Sequence, residues 1–145
     1  MQKGIEIFTP DENESTGIEY SDNRVSAGFP SPAEHTSTVK LDLNKELIKN
    51  PASTFYARVK GVSMIDAGID DGDLVLIKRC ERVREGRIAA FLYDNSETTL
   101  KRFKQDKNAI YLIPENDAME PIVISGQNRE KLIIQGEAVM VLKDL

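Results

Sequence analysis

The stretch TFYARVKGVSMIDAGIDDGDLVLIK, residues 54–78, decides the fold class, because it contains two strand patterns joined by a loop rich in Gly and Asp. Phe55, Ala57 and Val59 recur at every second position, which is the period of a half-buried β-strand. The run Leu-Val-Leu-Ile within residues 73–78 is short and apolar, as in a buried strand. The segment therefore predicts two strands connected by a polar loop.

Further strand patterns follow this segment, and one helical pattern precedes it. Residues 41–49 predict a short helix that Asp42 or Asn44 can cap and that Asn50-Pro51 ends. The other strand patterns cover residues 87–93, 97–104, 109–113, 121–124 and 131–142, the last interrupted at Gly136. The turn Asp94-Asn95-Ser96 between the first two of these predicts a hairpin. Many short strands with Gly, Asp and Asn turns predict a mostly β fold, a barrel or a sandwich, with one short helix.

The N-terminal region differs from the rest of the chain in charge and in pattern. Residues 1–39 hold 2 Lys or Arg against 7 Asp or Glu, whereas residues 40–145 hold 17 of each kind. Residues 1–39 are rich in Glu, Ser, Thr, Pro and Gly and show no sustained periodicity, which disfavours a packed element. We therefore expect an acidic, extended arm over residues 1–39 and a β-rich domain over residues 40–145.

The composition argues against several functional classes. The single cysteine, Cys80, excludes an internal disulfide, and no phosphate loop or His/Cys spacing predicts a cofactor or metal. No apolar run reaches 18 residues and residues 1–14 lack signal-peptide character, so we expect a cytoplasmic protein without a membrane anchor. Basic residues are only modestly enriched over residues 78–107, so tight direct DNA binding is not expected.

Ser63 and Lys101 are the candidate nucleophile and base. A serine hydroxyl needs an adjacent base, and the only histidine, His35, lies in the arm, which argues against a Ser-His-Asp triad. A lysine can take this role where burial keeps its amine neutral, and Lys101 stands among apolar residues of a predicted strand. The strand pattern alone does not separate Lys101 from Lys104.

Two glycine-containing segments complete this chemistry. Gly61 lets the backbone turn just after a strand, where successive N–H groups can point inward as an oxyanion hole requires. The segment Ser26-Ala27-Gly28-Phe29-Pro30 begins with three small residues, which leave a peptide bond that is easy to approach. Together these features predict a chain that cuts itself. Taken singly, Ser63 also fits a helix-capping serine, Lys101 a solvated lysine, and residues 26–30 a plain linker.

The order and spacing of these segments resemble the LexA/UmuD (S24) family of self-cleaving serine peptidases. Residues 61–74 resemble the nucleophile segment of that family, and Thr99-Leu100-Lys101-Arg102 resembles the segment with its lysine. Residues 27–33, AGFPSPA, are similar to the cleavage region of the UmuD type, and residues 42–48 and 112–116 also match. Two positions depart from the pattern: Val62 replaces a frequent Asp, and Ala27 replaces the usual Cys.

The resemblance implies a LexA/UmuD-type β-rich catalytic core and a set of site residues. These are Ser63 as nucleophile, Lys101 as general base, the backbone N–H groups of Val62 and Ser63 as oxyanion hole, and Ala27-Gly28 as cleavage site. It also implies a UmuD-type subunit that forms a homodimer and is cut when the RecA–single-stranded-DNA filament stimulates it in the SOS response to DNA damage. The shortened product would join a UmuC-type Y-family polymerase in error-prone translesion synthesis.

Two other classes of function stay open. A cleavable transcriptional regulator of the LexA or phage-repressor type would carry a helix-turn-helix domain, for which residues 1–39 are too few and too irregular. We therefore favour the UmuD type. The other alternative is an interaction module in which Ser63 and Lys101 are inert. A signal-peptidase relative shares such a dyad but would need a membrane anchor.

Overall fold

The computed structural model describes residues 5–8, 17–21 and 38–145. Within these residues lie ten β-strands, one α-helix and three 3₁₀ turns. The strands are β1 (Ile5–Phe8), β2 (Gly17–Ser21), β3 (Thr38–Asp42), β4 (Thr54–Val59), β5 (Leu74–Lys78), β6 (Ile88–Tyr93), β7 (Thr99–Gln105), β8 (Ala109–Ile113), β9 (Ile122–Ser125) and β10 (Leu132–Leu142). The helix is α1 (Leu43–Leu47), and the 3₁₀ turns are Pro51–Ser53, Ile65–Ala67 and Gly126–Lys131.

The described residues fall into two units. One unit contains β1 and all residues from Ala52 to Leu145, and the other contains β2, β3 and α1. In the second unit β2 and β3 form an antiparallel pair. The Asp42 carboxylate caps α1 by accepting the Asn44 N–H at 3.0 Å. The predicted division of the chain between residues 39 and 40 stays a prediction.

An eight-stranded sheet dominates the first unit, with the strand order β1-β4-β5-β10-β6-β7-β8-β9. All of its neighbouring strands run antiparallel. The sequence places β10 last, yet it lies between β5 and β6 and joins the two halves of the sheet. The prediction of a mostly β fold with one short helix is confirmed for the described residues.

Two features of the sheet differ from what the sequence pattern predicts. The interruption at Gly136 is a register shift within one continuous strand, β10. A Cβ at this position would overlap the Lys78 carbonyl oxygen and lie 2.7 Å from Ile77 Cγ2, so only glycine fits. The strands β1 and β2 lie in residues 1–39, where the sequence predicts an arm without packed elements, so that prediction is wrong for these two segments. Strand β1 is held by pairing with β4, and β2 by pairing with β3.

Two clusters of buried apolar side chains fill the first unit. One includes Phe55, Met64 and Leu100, and the other includes Phe91 and Phe103. Leu100 and Phe103 both belong to β7, so this strand contributes side chains to both clusters. Lys101 lies next to Leu100 on the same strand, and its side chain is fully buried. Among the described residues, no helix has the length and apolar character needed to cross a membrane.

Candidate active site

Ser63 lies in a tight loop that follows β4. The chain turns at Gly61, whose φ of 94° is a conformation that favours glycine, and the Gly61 N–H donates to Asp71 Oδ1 at 2.6 Å. The next side chain after the serine, Met64, is 1% exposed and packs in the first core cluster. The loop is therefore held at Gly61 and at Met64, and the serine between them has little freedom to move.

Lys101 lies in the middle of β7 and is completely buried, with 0% of its surface exposed. Its cross-strand neighbour on β6 is Ala89, which is also fully buried and leaves room for the long lysine side chain. Lys104, which the sequence pattern could not separate from Lys101, is exposed. Only Lys101 of these two lysines is thus placed away from water.

The Lys101 amine and the Ser63 hydroxyl lie within hydrogen-bonding distance. Lys101 Nζ is 3.2 Å from Ser63 Oγ, 2.5 Å from Thr99 Oγ1 and 3.3 Å from the Leu100 carbonyl oxygen. The charged amine has three N–H donors and no acceptor, so loss of one proton leaves two donors and one lone pair. It can therefore donate to Thr99 and to the Leu100 carbonyl while it accepts the proton of the Ser63 hydroxyl.

The surroundings of Lys101 favour this neutral form. Burial lowers the pKa of the Lys101 amine from 10.5 to about 8, because removal from water disfavours the charged form. No carboxylate among the described residues forms an ion pair with this amine. At mildly alkaline pH the amine can therefore act as a proton acceptor for the hydroxyl beside it.

The N–H groups of Val62 and Ser63, which the sequence predicts as an oxyanion hole, belong to the backbone of the serine loop. Among the described residues, no acceptor is paired with the N–H groups of Val62 and Ser63. The Val62 carbonyl oxygen accepts the Asn116 amide Nδ2–H at 2.9 Å and the Ile65 N–H at 3.3 Å. The Val62 side chain is 45% exposed beside the serine. Within the described part of the chain these two N–H groups have no competing acceptor, and their role as an oxyanion hole stays a prediction.

Some predicted site residues lie outside the part of the chain that the structure describes. These are Ala27 and Gly28 of the predicted cleavage site; His35, which is the only histidine and is not expected to be catalytic, also lies there. Cys80 is a free thiol of intermediate burial. Within the described ranges, no cluster of three or more His, Cys, Asp or Glu side chains could hold a metal ion.

Sequence reasoning assigned no role to Thr99, Glu115 and Asn116. Thr99 lies two residues before Lys101, so both side chains share one face of β7, and strand alternation could have indicated their contact. Glu115 and Asn116 follow β8 and contact the serine loop from more than 45 positions away along the chain. No local pattern could have revealed these two contacts.

The fold and the site define a β-rich protein with a serine next to a buried lysine. Residues 19–139 match the family described as Peptidase S24-like. The LexA repressor of Providencia rettgeri is 36% identical over 142 residues, which cover 98% of this chain and 67% of the relative. The chain therefore belongs to the S24-like peptidase family, whose LexA/UmuD-type members cleave themselves.

Two further relatives show the same likeness. The LexA repressor of Tolumonas auensis is 32% identical over 142 residues, which cover 98% of this chain and 68% of the relative. The LexA repressor of Bacillus thuringiensis strain Al Hakam is 33% identical over 122 residues, which cover 84% of this chain and 57% of the relative.

Proposed function

We propose that this chain is a serine peptidase that cuts itself between Ala27 and Gly28, with Ser63 as nucleophile and Lys101 as general base. The observation that supports the proposal is the 3.2 Å distance between Lys101 Nζ and Ser63 Oγ. The lysine side chain is fully buried and therefore removed from water. A buried lysine whose pKa lies near 8 and that touches a serine hydroxyl is the arrangement that a serine–lysine dyad requires.

The first half of the reaction forms an acyl-enzyme. Neutral Lys101 takes the hydroxyl proton as Ser63 Oγ forms a bond to the carbonyl carbon of Ala27, and the N–H groups of Val62 and Ser63 donate to the resulting oxyanion. The bond between Ala27 and Gly28 then breaks. Lys101 gives its proton to the leaving amine of Gly28, which leaves Ala27 esterified to the serine.

The second half uses water. Lys101, neutral again, takes a proton from a water molecule that attacks the ester carbonyl, and the proton passes to Ser63 Oγ as the ester bond breaks. The products are a carboxylate on Ala27 and a free hydroxyl on Ser63. Because the target bond belongs to the same chain, its effective concentration is high, and a modest dyad is sufficient.

The biological setting that we propose is the SOS response to DNA damage. In this setting the RecA–single-stranded-DNA filament stimulates the cut, and the shortened chain, as a homodimer, serves a UmuC-type Y-family polymerase in translesion synthesis. The support is the run AGFPSPA at residues 27–33, which resembles the UmuD-type cleavage region, and the acidic character of residues 1–39. Cytoplasmic localisation belongs to the same proposal.

A second candidate is a cleavable regulator of transcription. The observation that favours it is the name of the relatives, each of which is a LexA repressor. The two candidates differ in their partners. A regulator should bind operator DNA in the uncut form and release it after the cut, whereas a polymerase subunit should bind its polymerase after the cut.

The experiment is incubation of the purified chain at pH 9 and, separately, at pH 7.5 with a RecA filament, followed by mass spectrometry and N-terminal sequencing. The expected product begins at Gly28, and Ser63→Ala and Lys101→Ala should each stop the cut while the far-ultraviolet spectrum stays unchanged. Lys104→Ala is the matched control and should cut normally. An intact chain after several days under both conditions would show that the site is inert and that the chain is an interaction module.

A further inference from the structure

We propose that Asn116 is a positioning residue of this site, which holds the peptide group between Val62 and Ser63 so that the Ser63 N–H points at the oxyanion. This inference rests on the proposed function and extends it to a residue on a different hairpin. Asn116 lies just after β8, and its side chain reaches the serine loop across 54 positions of sequence.

Both ends of the Asn116 side-chain amide are engaged. Its Nδ2–H group donates to the Val62 carbonyl oxygen at 2.9 Å, and its Oδ1 accepts the Ala118 N–H at 2.9 Å. The Asn116 backbone carbonyl accepts the Met119 N–H at 3.0 Å, which closes a turn around the same residue. A rotation of the amide would break both side-chain bonds, so the donor stays directed at the serine loop.

The neighbouring residue holds the other end of the serine loop. The Glu115 carbonyl oxygen accepts the Asp66 N–H at 2.8 Å, and the Glu115 carboxylate forms an ion pair with Arg102, which follows Lys101 on β7. Residues 115–116 thus bind the serine loop at Val62 and at Asp66. Glu115 also connects that loop to the strand that carries the lysine, through its ion pair with Arg102.

The direction of the Ser63 N–H follows from the planarity of the peptide bond. No peptide bond of the described residues is cis, and in a trans peptide the carbonyl and the next N–H point in opposite directions. Asn116 and the Ile65 N–H both bind the Val62 carbonyl oxygen, so the Ser63 N–H must point away from them. A donor fixed before the reaction stabilises the oxyanion without any cost of reorientation.

The test compares Asn116→Asp and Asn116→Ala with the unaltered chain, with the rate of self-cutting measured from pH 6.5 to pH 10. Aspartate keeps the acceptor for the Ala118 N–H but lacks the donor for the Val62 carbonyl, and alanine lacks both without adding charge. Loss of a whole oxyanion donor costs about 10²–10³ in rate, so a misdirected one should cost about 10- to 100-fold at the alkaline plateau. The control Asn108→Asp, on the exposed turn before β8, should cut within about twofold of the unaltered chain.

The pH profile distinguishes a positioning role of Asn116 from a general loss of packing around the site. Asn116 acts on the oxyanion and not on the lysine, so both variants should keep the midpoint pH of the unaltered chain while the plateau rate falls. A plateau within twofold of the unaltered chain in Asn116→Ala would overturn the inference. A higher midpoint pH together with a lower melting temperature would also overturn it, because these changes would indicate that water has reached Lys101. If the unaltered chain does not cut, the proposed function fails first and this inference fails with it.

Discussion

The replacement Lys101→Met should stabilise the chain at neutral pH while it abolishes the cut. The lysine amine is fully buried, and below pH 8 the folded chain must hold it in its charged form without a carboxylate partner among the described residues. Methionine has a similar length, carries no charge and packs well in irregular apolar surroundings. The buried lysine would therefore lower the stability of the folded chain at neutral pH while it serves the reaction.

The magnitude follows from the shift of the pKa. Burial lowers the Lys101 pKa from 10.5 to about 8, and at ~1.4 kcal/mol for each pKa unit the charged amine costs about 3 kcal/mol below pH 8. Methionine would leave Thr99 and the Leu100 carbonyl without the amine donors, a loss of about 1 kcal/mol. The free energy of unfolding at pH 7 should therefore rise by about 2 kcal/mol.

The pH dependence has a definite sign. Because the pKa of Lys101 is lower in the folded chain than in the unfolded chain, the unfolded chain binds more protons between pH 8 and pH 10.5. The lysine form therefore gains stability as the pH rises through this range, and the methionine form does not. The lysine form should gain about 2.5 kcal/mol between pH 7 and pH 10, so the advantage of methionine should be lost by pH 10.

The assay is urea unfolding followed by circular dichroism, with all chains carrying Ser63→Ala so that none can cut itself. Lys104→Met is the matched control, because Lys104 lies exposed on the same strand and its replacement should change the free energy of unfolding by less than about 0.5 kcal/mol. A Lys101→Met chain that is less stable than its parent at pH 7, with the same difference at pH 10, would refute the reasoning. It would mean that the Lys101 amine is not held in a water-poor site.

Three further predictions concern the rate of the cut and the fold of the sheet. The neutral fraction of Lys101 should rise from about 0.09 at pH 7 to about 0.9 at pH 9, so gel densitometry should show a roughly tenfold faster cut at pH 9 and a plateau above it. A rate that still climbs tenfold per pH unit above pH 9 would contradict this. Thr99→Val removes the hydroxyl that accepts a hydrogen bond from Lys101 Nζ, so the cut at pH 9 should slow about tenfold with little change in melting temperature, and an unchanged rate would argue against this positioning contact. Gly136→Ala would place a Cβ on the Lys78 carbonyl, so urea unfolding should show a loss of about 1–3 kcal/mol, and an equally stable variant would mean that β10 can shift at no cost.

Local patterns in the sequence were sufficient for most of the sheet. The alternation of Phe55, Ala57 and Val59 predicts β4, and the turn at Asp94 and Asn95 predicts the hairpin of β6 and β7, where both residues adopt positive φ angles of 53° and 56°. These predictions succeed because strand period and turn geometry depend on neighbouring residues. In contrast, β1 was not predicted, because its four residues become a strand only by pairing with β4, about fifty positions further along the chain.

The candidate site, like the sheet, is partly predictable from the sequence and partly decided by the tertiary structure. The residue types and the order of the segments were enough to indicate the family, and the resemblance to that family singled out Ser63 and Lys101 as the candidate nucleophile and base. The strand pattern by itself left Lys101 and Lys104 equivalent, and no pattern gave a contact for Asn116. Burial, the 3.2 Å approach of the amine to the hydroxyl and the bond from Asn116 to the serine loop arise only when β7, β8 and that loop pack together. The pKa of a lysine depends on how much water surrounds it, and only the tertiary structure removes that water.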